Sequence, residues 1–190
     1  MDQVIKQGGV IAFRTDTFYG LGADPFNADA VARVRELKGR EDDKPILLLI
    51  SDLEQVDRLI AHRTAEFVAV AERFWPGPLT IVGKANTDLP EGITAGTGTV
   101  GVRLPNDEIV CRLVRECGGV LTATSANPAG REPARSAQEV ANYFPEGLDL
   151  IIDGGEVTAT EPSTVVDATT LPIRVVREGA IAAKDILTGA

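Results

Sequence analysis

Short apolar runs alternate with helix-period segments through the first three quarters of this chain, and then apolar runs follow one another directly. That alternation limits the fold to an α/β or α+β arrangement around a twisted mixed sheet. Residues 10–13 follow two glycines and read as the first core strand, emptying into a turn-rich segment at 15–22 with two threonines, an acid and two glycines. Asn27 is a suitable N-cap for a helix in which Ala30, Val31, Val34 and Leu37 recur at helical spacing, ending at Lys38 and Gly39. Residues 46–50 read as a buried strand. Ser51 and Glu54 then form a capping box for a helix with Leu53, Val56, Leu59 and Ile60 inward.

A further helix after Thr64 buries Phe67, Val70, Ala71 and Phe74, and Pro76, Gly77 and Pro78 stop it before a strand at 79–82. Residues 86–98 read as a loop and 99–105 as a strand carrying Arg103 near its end. Asn106 would cap a helix with Ile109, Val110, Leu113, Val114 and Cys117 on its apolar side. A strand at 120–124 runs into a loop at 125–133, and Ser136 with Glu139 forms another capping box. Residues 150–152, 164–166 and 173–176 are three strands without a long helix between them, and a short helix is expected around Asp185. With no internal repeat, low-complexity tract or linker, residues 1–190 are expected to form one domain.

Hydrophobic residues make up 44% and charged residues 25% of the 190, which is enough to build a sizeable core. No apolar run reaches membrane-span length and no signal-peptide pattern opens the chain, so a cytoplasmic location is expected. Cys111 and Cys117 fall on one expected helix, too far apart to cross-link, which fits free thiols in a reducing compartment. The net charge of −9 argues against binding nucleic acid through phosphate contacts, yet leaves room for a small anion held by a few focused cations. His62 is the only histidine, which excludes His-rich metal sites and speaks against a Ser-His-Asp triad; it reads as a helix C-terminal cation.

Against that acidic background, residues 38–45 place Lys38, Arg40 and Lys44 within seven positions, with Glu41, Asp42 and Asp43 between the last two. As local sequence this is a helix end with Gly39 as its left-handed terminator and a solvated charged turn. Polar groups also recur at the ends of expected strands: Thr15, Asp16 and Thr17, then Arg103, then Ser125 and Asn127, then Arg177. Each is explicable as a turn or cap residue. As a set they could instead converge beyond the strand ends on a pocket for a polyanion. No Walker loop and no GxGxxG after a strand is present, so side-chain cations would have to hold any phosphates.

Several segments occur in one order: residues 15–22, Lys38-Gly39-Arg40, Lys44-Pro45, residues 76–80, residues 101–105, Ser125-Ala126-Asn127 and residues 163–167. In this order the chain resembles the YrdC-like family, the threonylcarbamoyl-AMP synthases, with their KxR motif and downstream SxN, over almost its whole length. The resemblance implies a twisted, open α/β sheet flanked by helices around a large concave cavity. It also implies a nucleotidyltransferase that combines L-threonine, bicarbonate or CO2, and ATP into threonylcarbamoyl-AMP and pyrophosphate. Other proteins would then pass the threonylcarbamoyl group to tRNA, with direct tRNA binding weak or absent.

Carried over by position, the resemblance makes Lys38, Arg40 and Lys44 the catalytic cations around the phosphates. Thr99, Ser125, Asn127 and Arg177 would complete the ATP site. Thr17, Tyr19, Arg103, Ser163 and the Ala123 backbone would hold L-threonine, and Mg2+ would ride on the phosphates with no metal cage in the protein. Arg14, Glu41, Leu49 and Pro133 depart from the family pattern, and the chain's length resembles the single-domain bacterial form. Two alternatives stand beside this: an RNA-binding or ribosome-maturation factor of the same fold, and a carbamoyl-transfer domain like that of hydrogenase maturation proteins.

Overall fold

The computed structural model describes residues 1–39 and 44–187. Helix α1 (Asp2–Lys6) leads into β1 (Ile11–Arg14), which pairs antiparallel with β2 (Tyr19–Gly22). The second half of the expected turn at 15–22 is therefore a strand. The turn itself is confined to residues 15–18, where the Thr15 hydroxyl accepts from the N–H of Thr17 and of Phe18. β1 is buried on both faces, with Val10 and Ala12 in one core cluster and Ile11 and Phe13 in another. That is why it reads as an unbroken apolar run and not as an alternating one.

Helix α2 (Ala28–Lys38) starts at Asn27, whose side chain accepts from Asp29 and Ala30 N–H, and stops at Gly39 with φ 57°. β3 (Leu48–Ile50) follows. The next cap is Asp52, not Ser51: Asp52 accepts from Glu54 N–H and opens a 3-10 turn, while Ser51 donates to Asp52. Leu53 is exposed, so only Val56, Leu59 and Ile60 of the expected inner face are buried, in and just after α3 (Val56–Leu59). Because α3 ends there, His62 lies in the following loop and not on a helix C-terminus. α4 (Ala65–Phe74) is capped by Thr64 and buries Phe67, Val70 and Ala71.

β4 (Leu79–Lys84) is followed by α5 (Glu91–Thr94), a short helix inside the expected loop, and by β5 (Thr99–Arg103). α6 (Glu108–Glu116) is capped by Asp107 and not Asn106, and its Ile109 faces solvent. The shift by one residue gives Asp107 two backbone donors, Ile109 and Val110 N–H. Cys111 lies in α6 and Cys117 ends it, and both are free thiols.

The expected strand at 120–124 is split between two sheets. β6 (Val120–Thr122) belongs to a six-stranded sheet and β7 (Thr124–Ser125) to a four-stranded one. Between them Ala123 donates its N–H to Leu47 O at 2.8 Å. α7 (Ala137–Tyr143), β8 (Leu150–Ile152), β9 (Thr164–Asp167), β10 (Arg174–Arg177) and α8 (Ala183–Leu187) complete the described chain.

The strand order is β7-β2-β1-β8 in one sheet and β10-β9-β4-β5-β3-β6 in the other, so the mixed α/β expectation holds but with two sheets in place of one. β4 lies parallel to β9 and antiparallel to β5, and β3 is parallel to β5. A register shift in β10 brings Arg177 opposite Val165. Among the described residues no helix is long and apolar enough to cross a membrane.

Candidate functional site

A cavity of about 670 Å3 opens where the two sheets meet. Thr80 and Val82 of β4, Thr99, Gly101 and Arg103 of β5, and Val165 and Asp167 of β9 contribute alternate positions, as one face of a pleated sheet must. The turn at 15–18 and the segment through Ala123, Thr124 and Ser125 form the side belonging to the smaller sheet. Nine residues singled out from the sequence line this one space: Thr15, Thr17, Tyr19, Thr99, Arg103, Ala123, Ser125, Ser163 and Arg177. Leu49 and Pro133, noted as departures, line it as well.

Arg103 is 2% exposed and held on three sides. Its Nε donates to Gly77 O at 3.3 Å, its Nη1 to Thr17 Oγ1 at 3.0 Å, and its Nη2 to Asp16 Oδ1. Asp16 also accepts from Asn106 N–H, so it is an ion-pair partner that anchors Arg103 and not the Asx-turn acid its context suggests. Arg177 reaches the same space from β10, donating through Nε and Nη2 to Ser163 O at 3.3 and 2.8 Å. Partial desolvation, and then the neighbouring Arg103 guanidinium, lower the Arg177 pKa from the ordinary arginine value. It makes no ion pair with a described carboxylate, so its charge is available to an anion. Ser163 is buried with its hydroxyl 3.0 Å from that of Thr80.

Lys38 is placed differently from the sequence expectation. It is 3% exposed, does not line the cavity, and its ammonium donates to Asn127 O at 2.6 Å, Ser125 O at 2.7 Å, Asn127 Oδ1 at 3.0 Å and Ser125 Oγ at 3.3 Å. Three N–H bonds facing four protein acceptors fasten the 125–127 loop to the end of α2. Asn127 completes the clamp by donating to Arg131 O at 2.7 Å and Pro128 O at 3.1 Å. Both residues support Ser125, which does line the cavity.

Tyr19 is wholly buried. Its hydroxyl donates to Gly155 O at 2.8 Å and accepts from Gly154 N–H at 3.1 Å, and burial raises its pKa. It braces the wall as a core aromatic instead of offering a polar group. Lys44 is exposed beside Pro45, which lines the cavity, while Arg40 and Glu41 lie outside the described residues. Arg14 is turned to Asp107 at 3.4 Å and does not line the cavity.

Sequence reasoning left out Thr80, Phe18, Thr124, Glu132 and Asp167 as site residues, all of them cavity-lining. Thr80 and Asp167 sit at alternate positions of strands whose cavity face becomes visible only when β4 and β9 are paired, Leu79 opposite Thr164. The remaining three had no signal stronger than that of their neighbours in turns and strand ends.

The family model for Sua5, YciO and YrdC, described as "Telomere recombination", matches residues 3–179. A threonylcarbamoyl-AMP synthase of Halorhodospira halophila is 39% identical over 163 residues, covering 86% of this chain and 85% of the relative. The chain belongs to the Sua5/YciO/YrdC family. A threonylcarbamoyl-AMP synthase of Pyrococcus abyssi is 40% identical over 182 residues, 96% of this chain but 54% of that relative, so the chain spans about half its length. The structure of P. abyssi Sua5 complexed with L-threonine superposes with a TM-score of 0.94 at 38% identity, over 98% of this chain and 55% of that one.

Proposed function

We propose that the cavity makes threonylcarbamoyl-AMP and pyrophosphate from L-threonine, bicarbonate or CO2, and ATP, as the first half of threonylcarbamoyladenosine modification of tRNA. The observation that carries this reading is the pairing of Arg103 and Arg177 in one cavity with Thr17, Ser125 and Ser163. Arg103 keeps one N–H on each Nη after its protein contacts, enough for a two-point contact with the threonine carboxylate. The Ala123 N–H is taken by Leu47, so the Ala123 carbonyl is the group that meets the threonine amine. Thr17 and Ser163 flank the side chain.

Arg177, Ser125, Lys44 and, from outside the described residues, Arg40 would hold the nucleotide. The Thr97 hydroxyl donates to Thr94 O at 2.7 Å, so Thr99, 2.9 Å from it, donates inward and offers lone pairs outward. Thr99 therefore suits a ribose hydroxyl better than a phosphate oxygen. Lys38 and Asn127 act by positioning Ser125.

In this reading the neutral threonine amine first adds to the carbon of CO2, or of bicarbonate with loss of water, and gives up a proton to solvent to leave the carbamate. A carbamate oxygen then attacks the α-phosphorus in line, and the P–O bond to pyrophosphate breaks. The chain contributes position and positive charge more than proton transfer. Glu132 and Asp167 are the carboxylates on the described wall, and among the described residues no three ligating side chains cluster. That donor set fits Mg2+ held mainly by phosphates and water, where it would neutralise phosphate charge. The proteins that pass the group on to tRNA, and a cytoplasmic location, belong to the same proposal. Pyrophosphate release should require both threonine and bicarbonate; release that continues at the same rate without either one overturns the reading.

A further inference from the structure

A second recess, of about 410 Å3, adjoins the main cavity, with Thr99 in the wall of both. It continues the same sheet face past the strand ends. Lys84 follows Thr80 and Val82 at every second position of β4, and Thr169 lies two residues beyond Asp167 of β9. His62, Thr64, Thr97 and the edge of Phe67 close the other side.

In a chain of net charge −9, this described wall carries no carboxylate and two basic side chains. Its hydroxyls are already fixed by the protein. Their protons point at protein acceptors: Thr64 donates to Ala168 O at 3.4 Å, Thr97 to Thr94 O at 2.7 Å, Thr99 to Thr97 at 2.9 Å and Thr169 to Asp167 at 2.6 Å, so none is left to donate to an anion. The groups left to meet a ligand are therefore the Lys84 ammonium and the His62 imidazole, both exposed. Two of the acids on the surrounding elements are engaged elsewhere. Asp167 also faces Arg174 at 3.5 Å, and Asp57 is paired with Arg63; Glu66 lies in the first turn of α4. The Ala61 N–H donates to Lys84 O at 3.0 Å, which sets His62 beside the Lys84 segment, and a recess lined by an ammonium and an imidazole but no carboxylate favours a compact anion.

We propose that this recess is a second anion site, taking a phosphate or pyrophosphate group through Lys84 and His62. Apart from Thr99, which borders both spaces, its groups are not among those assigned to the nucleotide above, and it does not depend on that assignment. Two sources share this chemistry: the terminal phosphates of a nucleotide seated in the main cavity and extending past Thr99, or a free inorganic ion.

Because His62 is the only histidine, its imidazole C–H signals in NMR report on the recess alone. At fixed pH and ionic strength, inorganic pyrophosphate should move those signals saturably. Lys84→Met should weaken the apparent affinity about tenfold or more, while AMP binding, followed by calorimetry, stays unchanged. If ATP moves the signals and pyrophosphate competes with it, the source is the nucleotide's own tail. If pyrophosphate moves them with AMP bound and ATP does not, the source is a free ion. The proposal is overturned if neither moves them, if chloride at equal ionic strength has the same effect, or if Lys84→Met responds like the wild type. Pyrophosphate binding here without any ATP or AMP binding would leave this site standing and remove the nucleotide reading.

Discussion

Lys38 shows how one side chain can carry the right motif and a different task. Its ammonium sits among four oxygens of residues 125 and 127, where it fixes the loop that carries Ser125. Lys38→Met keeps the stem's volume but leaves those acceptors in a buried site without a donor. A loss of about 2–4 kcal/mol in urea unfolding is expected, together with weaker nucleotide binding as Ser125 loosens. Unchanged stability would mean that the clamp is not formed.

Asp52 sets a pH dependence at the same scale. The Ser51 hydroxyl first of all, helped by Gln55 and the Glu54 N–H, holds its carboxyl below the usual carboxylate range. The folded pKa is below the unfolded one, so its contribution is complete above the unfolded value and disappears as pH falls through the depressed value. Asp52→Ala should cost about 1 kcal/mol at neutral pH, and the gap to wild type should narrow in acid. Denaturation midpoints measured across that range check the sign.

At the scale of elements, the cavity wall depends on how closely the residues after β10 approach the segment just before β9. A Cβ at Gly179 would lie 2.2 Å from Pro162 O and 2.9 Å from Ser163 O, both backbone atoms that cannot rotate away. Gly179→Ala should therefore cost about 1–3 kcal/mol and displace Ser163. Threonine affinity should fall with it, as calorimetry would record; a variant as stable and as tight-binding as wild type would contradict the packing. Helix ends were the elements most legible beforehand. Asn27 and Ser136 are caps in the structure as in the sequence, because an N-cap is a local contact between a side chain and an N–H two or three residues on. The caps at Asp52 and Asp107 were each misplaced by one residue, because neighbouring polar residues offer nearly equal partners.

Across the whole molecule, the polar strand ends of two sheets close on one space, so ligands bound there share walls. ATP and L-threonine should bind cooperatively, each tightening the other's calorimetric affinity by the same factor. Independent binding would place them in separate spaces. With a net charge of −9, tRNA should bind weakly at physiological salt and with a shallow salt slope.

The sequence determined most of the strands and the longer helices, the acidic balance and, with the family resemblance, the main polar groups around the cavity. Those features rest on local periodicity, local capping and residue chemistry that survives any packing. Only the tertiary structure decided that the strands form two sheets, that the chain changes sheets at Ala123, and that Lys38 faces the protein. It also decided that Asp16 takes Arg103 across 87 positions of chain. Each of these turns on which distant segments pair. Strand pairing over such separations depends on the summed burial of both faces, which no short window of sequence contains.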